Sequence, residues 1–380
     1  MTKRLVIATD SFLPRWDGVS RFLLEIIPKL KKNFEVIIIA PNFGPTKTSG
    51  IKLIKLPLRK IKMGDYHPAK FQYSKIKKEI QNADVVFTQT IGPIGLGSIF
   101  AARRFNKPLV SFIHSVEREL FPKAISSNIL KKFAYPIVTS LTRFIYNKSS
   151  LLIVPSSSIA DILMWQGIKT RKYIAHLGVD TKKFIKKDKD LAKKKLGYTK
   201  NDFVIGYHGR LGREKDLKTL LRAYVRMRSK YDNVKLLIVG SGVKEVEDLF
   251  RNQKGVNMVG SQDNVVPFIN AMDVYAIPSL TETSSLTTLE AMACEIPVIA
   301  TQVGFIQDYI ENGVNGLFFK MQDPYDLKKN LELLYNNSML RRTLGKKARE
   351  TILEKFRWEV TAERIVSAIE NVVLNLEQKE

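Results

Sequence analysis

The sequence predicts an α/β protein built from two doubly wound, mostly parallel sheets. Short apolar runs rich in β-branched residues alternate with longer amphipathic stretches along the whole chain, which is typical of parallel strands joined by helices. The chain has 380 residues, more than one hydrophobic core usually holds, so two domains are expected. A lysine-rich tract near the middle, 181–202, has few large apolar residues and is predicted to join them.

The elements follow from hydrophobic periodicity, with period 2 or continuous apolar runs for strands and a 3.6-residue period for helices. In the first half the predicted strands are 5–9, 35–40, 52–56, 85–88, 109–113 and 151–154, and the predicted helices are 20–30, 73–81, 94–105, 128–146 and 158–166. In the second half the strands are 203–208, 234–239, 256–259, 274–277, 298–300 and 317–319, and the helices are 217–228, 243–251, 265–271, 286–294 and 324–335.

The expected domains are 1–180 and 181–355, followed by a helix over 356–380. The final helix carries an apolar stripe from Phe356 to Val373, which predicts that it packs on another element. The lysines of 180–195 are expected to be solvated throughout.

The charge is unevenly distributed. The net charge is +25, and residues 1–180 hold 29 Lys and Arg against 11 Asp and Glu, or +18. A basic half-molecule indicates nucleic acid or an anionic membrane surface, or it serves only solubility. Nucleic acid is disfavoured because no aromatic-rich basic motif or recognised nucleic-acid module is present.

No apolar run reaches the roughly 18 residues of a spanning helix, and the apolar stretch 5–9 is too short for a signal peptide. The single cysteine, Cys294, excludes an internal disulfide and a multi-cysteine zinc site. A cytoplasmic protein without a bound metal is therefore expected.

The most informative stretch is 278–301, a predicted loop, helix and strand that follow the strand 274–277. Glu282 lies in the loop and Glu290 lies in the helix. The helix start offers unpaired N–H groups suited to a phosphate, whereas carboxylates accept hydrogen bonds from hydroxyls. The stretch predicts a pocket for a ligand that is part phosphate and part polyol. The alternative is that Glu290 is a solvated helix residue and Glu282 a cap near the helix start.

A second loop, 206–217, also ends at a helix start. Gly209 and Gly212 keep its backbone open, while Arg210 and Lys215 provide two cations for phosphate oxygens. An ordinary basic loop is the alternative.

Two positions in the first half lie just past predicted strands, where open α/β sheets bind ligands. Gly18 would allow a phosphate close to the backbone, or it belongs to a simple turn. His114 follows the strand 109–113 and is expected to line a pocket, with a structural histidine as the alternative.

These motifs resemble those of family 4 of the retaining nucleotide-sugar glycosyltransferases, which have the GT-B fold. The resemblance rests on Pro-Ser, Glu, seven residues, Glu-Ala-Met-Ala and Pro-Val-Ile-Ala within 278–301, on Gly-Arg-Leu at 209–211 and on Phe-Ile-His at 112–114. It implies two Rossmann-like domains facing a central cleft, with the donor held mainly by the second domain and the acceptor by the first. It also implies a UDP- or GDP-linked hexose as co-substrate, with no cofactor and no divalent metal.

The resemblance assigns roles by position. Arg210 and Lys215 would hold the donor diphosphate, Glu282 the sugar hydroxyls, and Glu290 the ribose hydroxyls, with His114 near the sugar and acceptor. The remaining donor-binding residues would be Gly18, Gly209, Ser285, Leu286 and Thr287. The sequence departs from the family pattern where Asp17, Asp216 and Ser285 stand in place of glycine.

The acceptor is predicted from the residues after Glu282. Glu-Thr-Ser-Ser-Leu-Thr is similar to the Glu-Thr-x-x-Leu-Thr of membrane glycolipid synthases in the family. Together with the basic first half, this favours a lipid or lipid-linked glycan at the cytoplasmic face of a membrane. The alternatives are a soluble sugar or polysaccharide acceptor, or a nucleotide-sugar epimerase with the same fold.

The membrane contact is predicted at 121–146, where apolar residues recur at helical spacing between Lys123, Lys131, Lys132 and Arg143. A core helix whose lysines extend their charged ends to water would have the same pattern.

Overall fold

The structure, a computed structural model, describes residues 2–15, 17–46, 50–60, 67–116, 128–282 and 284–377. Residues 121–127 of the predicted membrane contact lie outside the described residues, as do the side chains of Lys131 and Lys132. The chain forms two compact units, one of Met1–Leu177 with Trp358–Glu380 and the other of Gly178–Arg357.

The first unit contains a seven-stranded parallel sheet in the order β3-β2-β1-β4-β5-β6-β7. Its strands are β1 (Lys3–Ala8), β2 (Phe34–Pro41), β3 (Lys52–Leu56), β4 (Val85–Thr88), β5 (Leu109–Phe112), β6 (Leu151–Val154) and β7 (Lys172–Ile174). Its first helices are α1 (Gly18–Leu30), α2 (Tyr73–Gln81), α3 (Pro93–Arg104), α4 (Asn128–Tyr146) and α5 (Ser157–Trp165). The central strands β4, β5 and β6 are buried along their whole length, which explains their continuous apolar runs.

The second unit contains a six-stranded parallel sheet in the order β10-β9-β8-β11-β12-β13. Its strands are β8 (Phe203–His208), β9 (Val234–Val239), β10 (Val256–Met258), β11 (Val274–Ile277), β12 (Val298–Thr301) and β13 (Leu317–Phe319). Its helices are α6 (Lys189–Lys195), α7 (Leu217–Arg228), α8 (Lys244–Asp248), α9 (Val266–Ala271), α10 (Leu286–Ala293), α11 (Ile306–Tyr309), α12 (Pro324–Asn336) and α13 (Ser338–Lys355). The predicted α/β fold with two doubly wound parallel sheets is confirmed.

The last described helix, α14 (Trp358–Glu377), belongs to the first unit. It packs along α1, where Trp358 lies 6.2 Å from Phe22 between ring centroids. The Nδ2 of Asn33 donates to Glu370 Oε1 at 2.7 Å, and the Oγ1 of Thr361 donates to the carbonyl oxygen of His176 at 2.7 Å. The first unit is therefore assembled from two separate stretches of chain.

The expectation that every lysine of 180–195 is solvated is wrong for Lys193. Its side chain is buried inside the second unit, with Nζ 2.7 Å from Asp273 Oδ2 and 2.6 Å from the carbonyl oxygen of Asp202. A lysine can be buried when its charge has a carboxylate partner and its protons have acceptors. This pair anchors α6 to the edge where β11 begins.

One helix start and one edge strand differ from the prediction for reasons that the structure shows. Helix α1 begins at Gly18 instead of Ser20, because the side chain of Asp17 caps it. Strand β7 was not predicted, since it has only three residues and lies at the sheet edge without the two-sided burial that produces an apolar run.

Candidate active site

The two informative loops of the second unit meet at the carboxyl ends of β8 and β11. These strands are neighbours in the sheet, so the loops that follow them leave from the same edge. The backbone N–H of Leu280 donates to the carbonyl oxygen of Glu214 at 2.8 Å. A Cβ atom added to Gly209 would lie 3.3 Å from Thr287 Cγ2, at the start of α10. The structure thus brings together two loops that lie about 70 residues apart in the sequence.

Lys215 and Glu282 form the closest contact between the two loops. Lys215 Nζ lies 2.5 Å from Glu282 Oε1, and Ser279 Oγ donates to the same oxygen at 2.7 Å. Glu282 is buried and Lys215 is half-buried, so the surrounding protein screens this pair little. A cation and a carboxylate of the predicted site are therefore held side by side.

The loop carrying Glu282 is fixed from behind by β12 and the turn that follows it. Thr301 Oγ1 donates to the carbonyl oxygen of Ser279 at 2.5 Å. A Cβ atom at Gly304 would lie 1.5 Å from the carbonyl oxygen of Glu282, and Gly304 has φ +51°. Only glycine satisfies both conditions, which makes Gly304 part of the support for Glu282.

Arg210 lies at the exposed side of the same region. Its Nη2 lies 2.5 Å from Glu214 Oε1, four residues further along the chain. Glu214 was not predicted as a site residue, although a carboxylate four residues after an arginine is a recognisable pairing signal. Both predicted phosphate-binding cations therefore have a carboxylate partner in the structure.

Glu290 pairs with a histidine that sequence reasoning missed. The Nε2 of His208 lies 2.9 Å from Glu290 Oε2, and both side chains are 2% exposed. Tyr275 Oη donates to the carbonyl oxygen of His208 at 3.1 Å, which fixes the end of β8. Since His208 ends an apolar strand, only its position directly before Gly209 could have indicated a functional role.

Two of the three positions where the family has glycine adopt the left-handed conformation that glycine favours. Asp216 has φ 45° and ψ 43°, and Ser285 has φ 45° and ψ 64°. Polar side chains support both turns: Thr219 Oγ1 donates to Asp216 Oδ2 at 2.6 Å, and Ser285 Oγ lies 2.7 Å from Thr288 Oγ1. Short polar residues are among those that tolerate this region best. Both turns are thus formed without glycine.

Ser285 also sets the start of α10. It occupies the N-cap position without a side-chain cap on the first turn within the described residues. The N–H groups of Leu286 and Thr287 are the first donors of this helix, and such donors suit an anion. Leu286 and Thr287 therefore lie at the start of α10, and their contact with the donor stays a prediction.

In the first unit, Asp17 is the N-cap of α1 and does not adopt the left-handed conformation. Its backbone is extended, with φ −148° and ψ −176°, a conformation that does not require glycine. Its Oδ1 accepts from Ser20 N at 3.0 Å, and its Oδ2 accepts from Arg15 Nε at 3.0 Å and from Ser11 Oγ. Gly18 is exposed, and a Cβ atom added there would meet no atom within 4 Å. A carboxylate thus occupies the N-terminus of α1 beside Gly18.

His114 follows β5 in the first unit, as the sequence predicts. Its Nε2 lies 2.9 Å from Gln89 Oε1, and its ring lies edge-on to Phe22 at 4.9 Å between centroids. Burial lowers the pKa of His114 to about 3, with Asp17 acting weakly in the opposite direction. The imidazole is therefore neutral near pH 7 and offers a lone pair or an N–H group rather than a charge.

Comparison with known families supports the assignment suggested by these motifs. The sequence model described as Glycosyltransferase Family 4 matches residues 16–183, and the model described as Glycosyl transferases group 1 matches residues 188–351. The chain belongs to glycosyltransferase family 4. This glycosyltransferase has the GT-B fold. The predicted family and the predicted fold are both confirmed.

Relatives and solved structures agree along nearly the whole chain. The glycosyltransferase is 25% identical to alpha-monoglucosyldiacylglycerol synthase of Acholeplasma laidlawii, covering 91% of each protein. It is 24% identical to N-acetyl-alpha-D-glucosaminyl L-malate synthase of Bacillus anthracis, covering 77% of this chain and 74% of that protein. A crystal structure of HepE from Anabaena in complex with UDP and glucose superposes with a TM-score of 0.80 at 18% identity, covering 97% of this chain and 99% of that chain.

Two further properties concern the described part of this glycosyltransferase. Across it, no helix is both long enough and apolar enough to cross a lipid bilayer. The same residues contain no group of three or more His, Cys, Asp or Glu side chains arranged to hold a metal ion.

Proposed function

We propose that this glycosyltransferase moves a hexose from a UDP- or GDP-linked donor to a lipid or lipid-linked glycan, with retention of the anomeric configuration. The observation that carries the proposal is the meeting of Lys215, Glu282, Gly209 and the start of α10 at one edge of the second sheet. Cations, helix N–H groups and carboxylates at one edge match a ligand with both phosphate and hydroxyl groups. A nucleoside diphosphate sugar has both.

Donor recognition follows from these groups. The diphosphate would bind Arg210, Lys215 and the N–H groups of Leu286 and Thr287, and the backbone at Gly209 leaves room for it. The sugar hydroxyls would donate to Glu282 and the ribose hydroxyls to Glu290. Donor binding would thereby displace part of the pairing between the cations and their carboxylate partners.

Catalysis would come from charge stabilisation. Breaking the bond between the anomeric carbon and the diphosphate builds negative charge on the leaving group, so Arg210 and Lys215 would bind the transition state more tightly than the donor. Each such interaction typically contributes about 3 kcal/mol, or roughly a hundredfold in rate. The acceptor oxygen would attack from the same face, and the reaction releases a nucleoside diphosphate and a proton.

The first unit would supply the acceptor side. A neutral His114 would hydrogen-bond a hydroxyl of the sugar or acceptor, and the backbone at Gly18 would approach a phosphate of the donor. The Asp17 carboxylate beside Gly18 would repel a phosphate at that position. The contact at Gly18 would therefore be weaker than the hydrogen bond from His114. No divalent metal is required in this scheme, because the two cations provide the positive charge.

The lipid-borne acceptor is favoured by the residues after Glu282 and by the +18 of residues 1–180. Relatives named for glycolipid synthesis agree with it, whereas the relative named for a malate product represents the soluble alternative. The protein would then work in the cytoplasm as a peripheral protein of an anionic membrane.

A donor screen by product mass, with and without lipid vesicles, tests the proposal. We expect hexose transfer from a UDP or GDP donor only when vesicles with a lipid acceptor are present. Equal transfer to soluble sugars without vesicles would replace the lipid by a soluble acceptor. Conversion of the donor without any acceptor would instead indicate an epimerase.

A further inference from the structure

A patch of exposed apolar side chains lies on the first unit, where the ends of α4 and α5 meet. On α4 it consists of Ile137, Leu141 and Phe144, which are 65%, 51% and 55% exposed. Their spacing of four and three residues puts them on one stripe of the helix. On α5 it consists of Met164 and Trp165, which are 57% and 82% exposed. These five residues are called the α4–α5 patch below.

Hydrogen bonds join the C-terminal end of α4 to the C-terminal end of α5. Asn147 Oδ1 accepts from Lys169 N at 2.7 Å, and Asn147 Nδ2 donates to the carbonyl oxygen of Gly167 at 3.3 Å. A Cβ atom at Gly167 would lie 2.9 Å from Arg143 Cδ. The loop that directly follows Trp165 therefore lies against the last turn of α4, so the two parts of the patch lie on adjoining helix ends.

The charges around the patch are positive. Residues 120–160 contain five Lys and Arg and no Asp or Glu. Lys148 Nζ lies 4.2 Å above the ring of Phe144, and Arg143 and Lys169 are exposed beside the junction. One acidic residue, Asp161, is exposed on α5 one turn before Trp165. Apolar side chains, an exposed tryptophan and surrounding cations match the apolar edge and anionic head groups of a lipid bilayer.

We infer that the α4–α5 patch is the membrane contact of this protein, inserting Trp165, Met164 and the α4 stripe into an anionic bilayer. The inference rests on the proposed lipid-borne acceptor only for its biological use. It moves the contact away from the early part of the segment 121–146 to the end of α4, and it adds α5, which the sequence pattern alone did not indicate. The apolar side chains supply insertion depth, and the cations supply selectivity for anionic lipid.

Vesicle co-sedimentation without donor or acceptor tests this inference separately from glycosyl transfer. We expect binding to vesicles of 30% phosphatidylglycerol in phosphatidylcholine and poor binding to pure phosphatidylcholine. The triple variant Ile137→Ser, Leu141→Ser, Phe144→Ser should lower the partition coefficient at least about tenfold. Arg143→Gln and Lys148→Gln should each lower it roughly fivefold at low salt.

A matched control uses exposed apolar residues of the second unit. Met339 and Tyr325 are 77% and 66% exposed, and Met339→Ser with Tyr325→Ser should leave vesicle binding unchanged. Trp165→Phe keeps an apolar ring but should remove the quenching of tryptophan fluorescence by brominated phosphatidylcholine. Unchanged binding of the triple variant would overturn the inference, as would unchanged quenching in Trp165→Phe. A dimer that dissociates in the triple variant without loss of vesicle binding would show that the patch binds a second copy instead.

A second and independent observation is the buried contact between His208 and Glu290. The Nε2 of His208 must carry the proton that it shares with the carboxylate at 2.9 Å, while its Nδ1 has no hydrogen-bond partner among the described residues. The ring therefore has one polar contact that holds its orientation, and that contact ends on Glu290. The geometry points to His208 as a positioning residue that orients the Glu290 carboxylate for the donor.

Two substitutions separate positioning from mere packing. His208→Gln keeps an N–H donor the same number of bonds from the backbone as Nε2, whereas His208→Leu keeps bulk without a donor. We expect His208→Leu to raise the donor KM and the Kd for the nucleoside diphosphate about tenfold with kcat changed less than about twofold, because a remote contact acts equally in ground and transition states. His208→Gln should stay within about threefold of the wild-type KM.

Glu290→Ala distinguishes this inference from the proposed donor site. An unchanged KM in Glu290→Ala would remove the ribose role of Glu290 itself. A raised KM in Glu290→Ala with wild-type kinetics in His208→Leu would overturn the positioning role alone, as would equal impairment in His208→Gln and His208→Leu. Retained burial of the Cys294 thiol, measured by its labelling rate, shows that each variant is folded.

Discussion

Replacing Ser285 by glycine and by alanine should separate the backbone conformation of this residue from its hydrogen bond. Both substitutions remove the hydroxyl that contacts Thr288, but only alanine keeps a Cβ atom at φ 45°. We expect the glycine variant to be the more stable of the two. At most helix-associated positions the order is the opposite.

The magnitude follows from the cost of the left-handed region. In the left-handed region a residue with a Cβ atom destabilises the folded state by about 1–2 kcal/mol, which glycine avoids. Glycine is also more flexible in the unfolded chain, and this offsets about 0.5–1 kcal/mol of its advantage. Loss of the hydrogen bond is common to both variants and cancels in the comparison. Ser285→Gly should therefore exceed Ser285→Ala by about 1 kcal/mol in free energy of unfolding.

The assay uses Cys294, the single cysteine of the chain, which is fully buried in the second unit close to the end of α10. Burial raises the pKa of its thiol to about 12, so the folded protein should react slowly with a thiol reagent. Under conditions in which refolding outpaces labelling, the labelling rate is proportional to the unfolded fraction of this unit. A difference of about 1 kcal/mol then appears as a roughly fivefold faster rate for Ser285→Ala.

Lys329 provides the matched control, since it is exposed in the interior of α12 in the same unit. There the order should reverse, with Lys329→Ala more stable than Lys329→Gly by about 1 kcal/mol. If alanine equalled or exceeded glycine at Ser285 as it does at Lys329, Ser285 would not occupy the left-handed region and the account of this turn would be refuted.

Four further outcomes are expected. Lys215→Ala and Glu282→Ala should each lower turnover at least about tenfold in steady-state kinetics while the fold stays intact, and near-normal turnover in both would refute the site. Calorimetry should detect binding of UDP or GDP in the presence of EDTA, and loss of binding on chelation would contradict a metal-independent donor site. Burial lowers the pKa of His114 from 6.5 to about 3, so between these pH values the unfolded chain binds a proton that the folded chain does not, and the free energy of unfolding falls as the pH drops from 6.5 towards 3. The urea midpoint of His114→Gln should fall less steeply over this range. Identical pH profiles of variant and wild type would count against the buried neutral imidazole. Lys193→Met leaves the buried Asp273 with one cation fewer and should lower the free energy of unfolding by about 3 kcal/mol in urea denaturation. Adding Asp273→Asn to Lys193→Met should restore part of that free energy. If the losses of the two single variants were additive in the double variant, the two side chains would not interact.

The sequence predicts best the elements that have a continuous apolar run or a clear helical period. Strands β8 and β9 have the predicted bounds, because a parallel strand between two helix layers must be apolar throughout. Helix α7 has the predicted bounds because its buried residues recur with a helical period. Short elements without this constraint give a mixed result, since the edge strands β3 and β13 have the predicted bounds and other short elements do not. Strand β7 was missed, and α8 is shorter than the predicted helix 243–251.

The candidate site divides in a similar way. The individual groups were identified from local pattern, since Lys215 and Glu282 each lie in a loop between a strand and a helix. Their contact at 2.5 Å links positions 67 residues apart and depends on the neighbouring arrangement of β8 and β11, which no local pattern contains. The His208 contact with Glu290 was missed for the same reason.

The division of the first unit into two stretches has a consequence for how the protein is made. Helix α14 covers α1, yet the whole second unit, Gly178–Arg357, lies between them in the chain. Since α1 ends at Leu30 and α14 begins at Trp358, a synthesis rate of about 5–20 residues per second leaves the apolar face of α1 without its partner helix for roughly 16–66 seconds. The second unit is continuous and can fold during that interval. The unit that begins first is thus the last to be completed, and the apolar face of α1 stays uncovered until α14 has been made.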